Sequence, residues 1–393
     1  MRFAFLTMGV AALVACSDTK APTDPSPRKS APSQPGDRRP TPLPTVFDGR
    51  PIGVQLEDLV SRRFAKVTLP PDAFSLAPDA VHPDMACPSQ WNGSRCWLLY
   101  TPYKNSDPSY ENPAFLVAGD DSTWMTPPEV RNPIVAFPGS GKYNSDPDHA
   151  YDPVSGRLVQ VYRVVTPTSN DIMVMSTGVG MQWSQPVVAF SEPKHDAVSP
   201  SLIIKPNRTA RMWYVRSGAD GCQARTSTVR LRTAQLSLLD YFENAKWSEP
   251  ITVNMSIPGY VIWHLDVEDL PRGGYLAFIA AFPIGTSCSN SDMWLATSAD
   301  GLTWRTFAMP LLWRGMAIAT TRSISTWYRG TIRYDVQSDT LHLWPSALAG
   351  RYWNVYHVAV PFAETLRLLD EAQPSDMRAL KKVPPRATQI PMP

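Results

Sequence analysis

Between His82 and about residue 360 the chain repeats one theme five times. Each unit opens on a polar start and an apolar strand. A second, aromatic-rich strand and a third follow, then a Trp-containing turn and a fourth. The first unit reads HPDMACPS, CWLLYTPY, PAFLVAGD and DDSTWMTP. The second, from Ser145, reads SDPDHAYDP, RLVQVYRVV, DIMVMSTG and GMQWSQPVVAF. The third starts at Ser199 (SPSLIIKP), the fourth at His264 (HLDVEDL) and the fifth at Arg329 (RGTIRYDV). Spacing of roughly 50 to 65 residues suits one four-stranded antiparallel sheet per unit. Within RLVQVYRVV, Leu158, Gln160 and Tyr162 alternate with Val159, Val161 and Arg163, the period of a strand. The expectation is an all-β chain: a five-bladed β-propeller of four-stranded antiparallel blades, closed so that few sheet edges stay free. The fifth unit shows three strands, and the stretch 47–68 is expected to supply its fourth. A helical period is visible only over 363–372.

The segment Ser298-Ala299-Asp300-Gly301-Leu302-Thr303-Trp304 resembles the Asp-box turn of sialidase-type propellers. Asp300 can accept backbone N–H bonds, Gly301 supplies a positive φ, and Trp304 packs between sheets. A degenerate copy lies at 176–183. The motif is a fold staple without catalytic content.

The N-terminus reads as a targeting segment. Arg2 gives a short positive region, and 3–14 form an apolar run too short to span a bilayer comfortably. It ends Leu13-Val14-Ala15-Cys16, which resembles a bacterial lipobox, so Cys16 is expected to carry lipid. The expected organisation is a signal peptide at 1–16, a Pro-rich tether at 17–45, the propeller at 46–373 and a Pro-rich tail at 374–393. Export to the cell envelope places the remaining cysteines in an oxidising compartment. Cys87 and Cys96 flank one turn-rich segment; Cys222 and Cys288 lie in matching loops of neighbouring units. The expected disulfides are 87–96 and 222–288. No CxxC pair exists, and no metal-ligand set is singled out.

Charged residues make up 18% of the chain and the net charge is +2. Without a clustered Lys/Arg face the composition argues against nucleic acid. The expected partners are a carbohydrate and, through the lipid alone, a membrane. A monomer is expected, and no cofactor is required, although a structural central cation such as Ca can sit on the axis.

In such a ring the inner strands converge on the central axis. Their starts, His82-Pro83-Asp84, Ser145-Asp146-Pro147-Asp148, Ser199-Pro200, His264-Leu265-Asp266 and Tyr328-Arg329-Gly330, would bring acids, imidazoles and a guanidinium together. Crowded like charges push at least one pKa up, which yields a protonated acid beside an ionised base. Glycoside hydrolysis uses such a pair.

On the repeat architecture and these inner acids, 80–361 resembles the five-bladed superfamily of glycoside hydrolase family 43 and the arabinanase, levansucrase and invertase group. The resemblance implies a carbohydrate-active propeller, a glycoside hydrolase with Asp84 as base and Asp146 as the residue that tunes and orients. The family's third-blade Glu is missing here, where Ser199-Pro200 stand. Asp266 is the first replacement, with Glu268, Asp196 and Glu111 as alternatives. His264 is a candidate for a sugar hydroxyl or a central cation, and Arg329 for a substrate carboxylate. Trp91, Tyr103, Trp263 and Trp327 are candidate stacking platforms. Each has a structural alternative: Asp84 as a turn cap, Asp266 paired with Arg329, His82 as a buried core histidine. A non-catalytic carbohydrate-binding or protein-interaction propeller is the alternative function.

Overall fold

The computed structural model describes residues 49–70, 79–88, 96–118, 124–178, 180–237, 241–316 and 324–376. Cys16, Trp91, the segments 1–16 and 17–45, and the tail beyond 376 lie outside the described residues. Five four-stranded antiparallel sheets follow one another along the chain. Their innermost strands are Ala80–Ala86, Tyr143–Asp152, Val198–Ile204, Tyr260–Asp269 and Ile324–Asp335. Each packs on the next and the last packs on the first, so the ring closes. The expected five-bladed propeller is therefore the observed fold. The strand Phe64–Lys66 pairs with Tyr352–Pro361 and completes blade five, so N- and C-terminal parts of the ring are fastened in one sheet. Residues 47–48 lie outside the described residues, and Ile52–Ser61 is not a strand but helix α1, which packs with helix α2 (Phe362–Glu371) beside blade five.

Strands covered on both faces carry apolar residues at nearly every position, because each blade is sandwiched between neighbours. In Tyr275–Pro283 every residue but Pro283 is buried. The alternation seen at 158–163 therefore does not divide core from solvent; all six residues are buried. The Asp-box forms as expected. Asp300 accepts N–H bonds from Leu302 (2.7 Å) and Thr303 (2.9 Å). Gly301 sits at φ +76°, where a Cβ would meet the Trp213 ring at 2.7 Å. Trp213 and Trp304 both donate their indole N–H to the Gly301 carbonyl. The turn thus pins blade four to blade three. Both expected disulfides are present, and Cys222–Cys288 ties the rims of those two blades.

The inner strands differ from plain strands in one shared way. All five break register near the same level, between Val81 and Asp84, Ser145 and Asp148, Val198 and Ser201, Ile262 and His264, and Trp327 and Gly330. In three of them a proline lacks the N–H that the ladder needs, and the residue before it turns to positive φ: His82 (51°), Asp146 (49°) and Ser199 (53°). These are β-bulges, which re-aim side chains towards the axis. The expected strand starts are thus bulges inside longer strands.

Two predictions follow from packing. A Cβ on Gly330 would lie 2.8 Å from both the Phe278 ring and the Pro345 Cα. Gly330→Ala should lower stability by about 1–3 kcal/mol, measurable by urea denaturation. On blade five, His342 and His357 stack at 5.3 Å with a ring nitrogen contact of 3.0 Å. Burial, and then His342, push His357 down to about 4. Its folded pKa lies below the unfolded one, so stability should fall as pH drops from about 6.5 towards 4. His357→Gln should flatten that part of the stability–pH curve.

Candidate functional site

The bulges bring His82 from blade one, Asp146 from blade two and His264 from blade four to one point on the axis. One ligand-type atom from each lies within 4.8 Å of the others. All three are almost wholly buried. His82 Nε2 is 3.2 Å and His264 Nδ1 3.7 Å from Asp146 Oδ1. His82 Nε2 and both ring nitrogens of His264 nevertheless have no hydrogen-bond partner. The groups face a common point rather than one another. Burial pushes His82 down to about 3, and holds His264 well below the usual histidine range. Burial alone would raise Asp146, but Arg163, then His264 and His82, hold it well below the carboxylate range. The site at neutral pH is two neutral imidazoles and one carboxylate.

Around this triad stand groups from neighbouring loops and strands. Glu111, in the blade-one loop between Trp97–Pro102 and Ala114–Ala118, accepts a hydrogen bond from the Ser145 hydroxyl and lies 3.4 Å from His82 Nδ1. Its loop is held by Asn144, which donates to Asn112 Oδ1 (2.8 Å). Burial, opposed by the Ser145 bond and reinforced by Asp146, pushes Glu111 up to about 8. Arg163 Nε lies 2.6 Å from Asp146 Oδ2. Tyr328 lies edge-on to His264 at 4.5 Å, and its hydroxyl accepts the Trp263 indole N–H (3.2 Å).

Two residues further along the strands lies a second cluster. Carboxylate oxygens of Asp84, Asp148 and Asp266 fall within 4.8 Å of one another. The expected trio of Asp84, Asp146 and Asp266 is thus divided between two levels, with Asp148 in the deeper one. The deeper acids are committed to the frame. Asp84 accepts from the His149 ring and backbone N–H, Asp148 from Leu202 N–H, and Asp266 from Thr331 and Ile332. Arg329 donates to Asp148 Oδ1 and to the Pro200 carbonyl, both at 3.1 Å. A cavity of about 280 Å³ beyond them, lined also by Glu268 and Arg333, opens where the inner strands end. Burial, then Asp84, raise Asp266 to about 6. Burial, then Asp266, raise Glu268 to about 8.

Several expected ligand contacts need correction. Arg329 is 1% exposed and salt-bridged to Asp148, so it is an axial strut without access to a substrate carboxylate. Asp266 pairs with hydroxyl and backbone donors, not with Arg329. Trp327 is fully buried against Phe64, and Trp263 is buried with its indole spent on Tyr328, so neither is a stacking platform. Asp196 binds Arg216 (2.9 Å) and Gly218 N–H in a rim turn, away from the axis. Glu268 faces the far cavity. Glu111 and His264 sit with the triad, and Tyr103 lies at the rim, 6.1 Å from the Trp353 ring. The sequence reading missed Arg163 and treated His82 as core. The repeated X-Pro at 82–83, 146–147 and 199–200 was the signal for His82; Arg163 stood in an apolar strand that gave none.

No family model matches the chain. It is 24% identical over 321 residues to the A type blood N-acetyl-alpha-D-galactosamine deacetylase of Flavonifractor plautii, an alignment covering 68% of this chain and 40% of that protein. The chain therefore spans about 40% of the length of the curated relative it matches. The crystal structure of an N-acetylgalactosamine deacetylase from F. plautii, in complex with blood group B trisaccharide, superposes with a TM-score of 0.69 at 20% identity, over 80% of this chain and 99% of that one. The alpha-L-arabinanase of Penicillium chrysogenum, complexed with arabinobiose, gives 0.53 at 13% identity, over 77% and 98%. At these identities the structural likeness shows the five-bladed fold alone.

The geometry of the deeper acids yields a prediction that separates frame from site. Asp84→Asn leaves His149 facing a neutral amide in a buried place. It should lower stability by about 1–3 kcal/mol in thermal or urea unfolding. An unchanged midpoint would return Asp84 to the candidate catalytic groups.

Proposed function

We propose that this chain is a carbohydrate-active hydrolase that removes the acyl group of an N-acetylated amino sugar, with a divalent cation held by His82, Asp146 and His264. The observation that carries this reading is the buried triad in which His82 Nε2 and both His264 ring nitrogens lack hydrogen-bond partners, Thr101 holding His82 Nδ1, although three ligand-type atoms converge within 4.8 Å. A buried polar atom without a partner is costly and calls for one. The donor set of two neutral imidazoles and one ionised carboxylate is the protonation state that divalent cations of the zinc type require. When bound, such a cation polarises a carbonyl and lowers the pKa of water. The F. plautii relative, a deacetylase by its name, supports the acyl-transfer class.

The chain's own groups divide the remaining work. Glu111 holds a proton on its carboxyl at neutral pH and stands beside His82, so it can pass that proton to a leaving amine. The Ser145 hydroxyl fixes the Glu111 oxygen that it binds. Trp263, through its indole N–H, sets the Tyr328 ring against His264 at the wall of the site. The closed surroundings of the triad exclude bulk water, which strengthens each of these interactions.

A second reading rests on another observation. Glu111, pushed up to about 8, and Asp146, held ionised, form a pair of carboxyl groups with separated pKa values, as glycoside hydrolysis uses. This is the glycosidase expected from the sequence, moved from Asp84 and Asp266 to Glu111 and Asp146. The shared class, a carbohydrate-active enzyme, does not depend on which bond is cut.

We further propose that the chain is exported and held at the envelope through lipid on Cys16, and that it works as a monomer. The Leu13-Val14-Ala15-Cys16 sequence and the two disulfides support export. Cys16→Ser should abolish palmitate labelling and release the protein from the membrane fraction.

Acetate release and reducing-sugar release, measured on oligosaccharides bearing N-acetylated amino sugars, distinguish the two readings. The metal reading predicts acetate release that chelator abolishes and added Zn²⁺, Co²⁺ or Mn²⁺ restores. His264→Ala should lower it by about 100-fold or more with little change in stability. Reducing sugar released in the presence of chelator, with no acetate, would select the glycosidase instead.

A further inference from the structure

Arg163 is the group whose surroundings the proposed reaction has not yet used. It sits near the end of Arg157–Val165, the second strand of blade two, opposite Ser145 on the inner strand. The residue is 4% exposed. Its Nε faces Asp146 Oδ2 at 2.6 Å, while Asp146 Oδ1 faces the two imidazoles. Asp146 Oδ2 also accepts the Ser199 N–H at 2.9 Å. One carboxylate oxygen is thereby occupied and the other is left for the triad. Neither Nε nor Nη1 of Arg163 has a hydrogen-bond partner, but Nε has the Asp146 carboxylate beside it as an ion pair, whereas Nη1 is buried without an acceptor. The charged groups that act on it, Asp146, Tyr143, Glu111 and Tyr328, all belong to the site.

A guanidinium is a planar fork that binds two oxygens at fixed geometry. Here one side is paired with Asp146 and Nη1 on the other has no acceptor. A buried cationic N–H without an acceptor is costly, and the acceptor that would relieve it is an oxygen carried by the ligand. Resting on the deacylase reading above, we propose that Arg163 has two tasks: it restricts Asp146 to a single-oxygen ligand, and its Nη1–H receives an oxygen of the substrate's acyl group. Towards Asp146 it is a positioning residue; towards the acyl oxygen it is a contact. The acyl group would then lie between the triad and Arg163.

The test uses the full mature chain loaded with Co²⁺, whose visible spectrum reports ligand number, and acetate as the probe for the acyl oxygens. Arg163→Lys keeps a cation beside Asp146 but loses the fork. It should bind Co²⁺ with a near wild-type spectrum and affinity, and bind acetate about 10-fold or more weakly, the loss expected for one charge-assisted hydrogen bond. Arg163→Met should alter the Co²⁺ spectrum as well, because Asp146 is no longer restricted to one oxygen. Thermal unfolding of each variant shows that it is folded. Wild-type acetate affinity in Arg163→Lys, or a wild-type Co²⁺ spectrum in a folded Arg163→Met, would overturn the proposal while leaving the deacylase reading intact. A wild-type protein that binds no Co²⁺ would overturn both.

Discussion

The ring depends on inner-strand side chains that accept backbone N–H groups from the next blade. Asp84 of blade one accepts from His149 of blade two, at 2.8 Å. Asp146 and Asp148 of blade two accept from Ser199 (2.9 Å) and Leu202 (2.8 Å) of blade three. Ser199 and Ser201 hydroxyls take the N–H groups of Leu265 and Val267 in blade four, and Asp266 takes that of Ile332 in blade five. Innermost strands of neighbouring blades cannot pair as a sheet, so their inward N–H groups need other acceptors. Carboxylates and hydroxyls supply them, and charge-assisted bonds are the stronger kind. The acids on the axis are there first as structure.

That constraint explains why the axis holds two clusters with different chemistry. In the deeper one, three carboxylates are compensated by Arg329 and His149 inside the protein. The cation is built in, and each acid accepts hydrogen bonds from the frame. In the other, Asp146 spends one oxygen on Arg163 and Ser199 and turns the second towards His82 Nε2 and His264, whose nitrogens have no hydrogen-bond partner, while Thr101 holds His82 Nδ1. Reactivity belongs where the hydrogen-bond inventory is incomplete. The bulges at His82, Asp146 and Ser199 make this division, because a proline removes one ladder bond and a positive-φ residue redirects the strand at that level. Loops between second and third strands then close the site from above, with Glu111 reaching in from blade one and the 222–288 disulfide bracing blades three and four.

Much of the architecture was legible in the sequence, because strand alternation, turn chemistry and repeat spacing are local signals. The five units, the closing strand at Phe64–Lys66, the Asp-box and both disulfide pairings all came from such signals. Helix α1 did not, since Ile52, Val54 and Leu56 alternate with their neighbours as a strand's residues would. At the site, the sequence placed acids and histidines on the inner strands, but did not show how they group. Asp146 and Asp148 are two positions apart and both face inward, so a strand period cannot say which level each joins. Only the bulge decides, and its mark was the proline after each inner residue. Trp263, Trp327 and Arg329 misled for a related reason. Side chains beside an inner bulge read as lining a mouth, whereas blade-to-blade packing buries them. Arg163 stood in a strand that read as core, and it is buried there, with an Nη1 that has no hydrogen-bond partner.

The point between His82, Asp146 and His264 is where a cation should bind. Crystals soaked in Zn²⁺ or Mn²⁺ and measured at the metal's absorption edge show whether it does. An anomalous peak is expected at that point, within ligand distance of all three side chains, and none between Asp84, Asp148 and Asp266, where Arg329 already supplies the positive charge. A peak among the three aspartates, or none at either level in metal-soaked crystals, would contradict it.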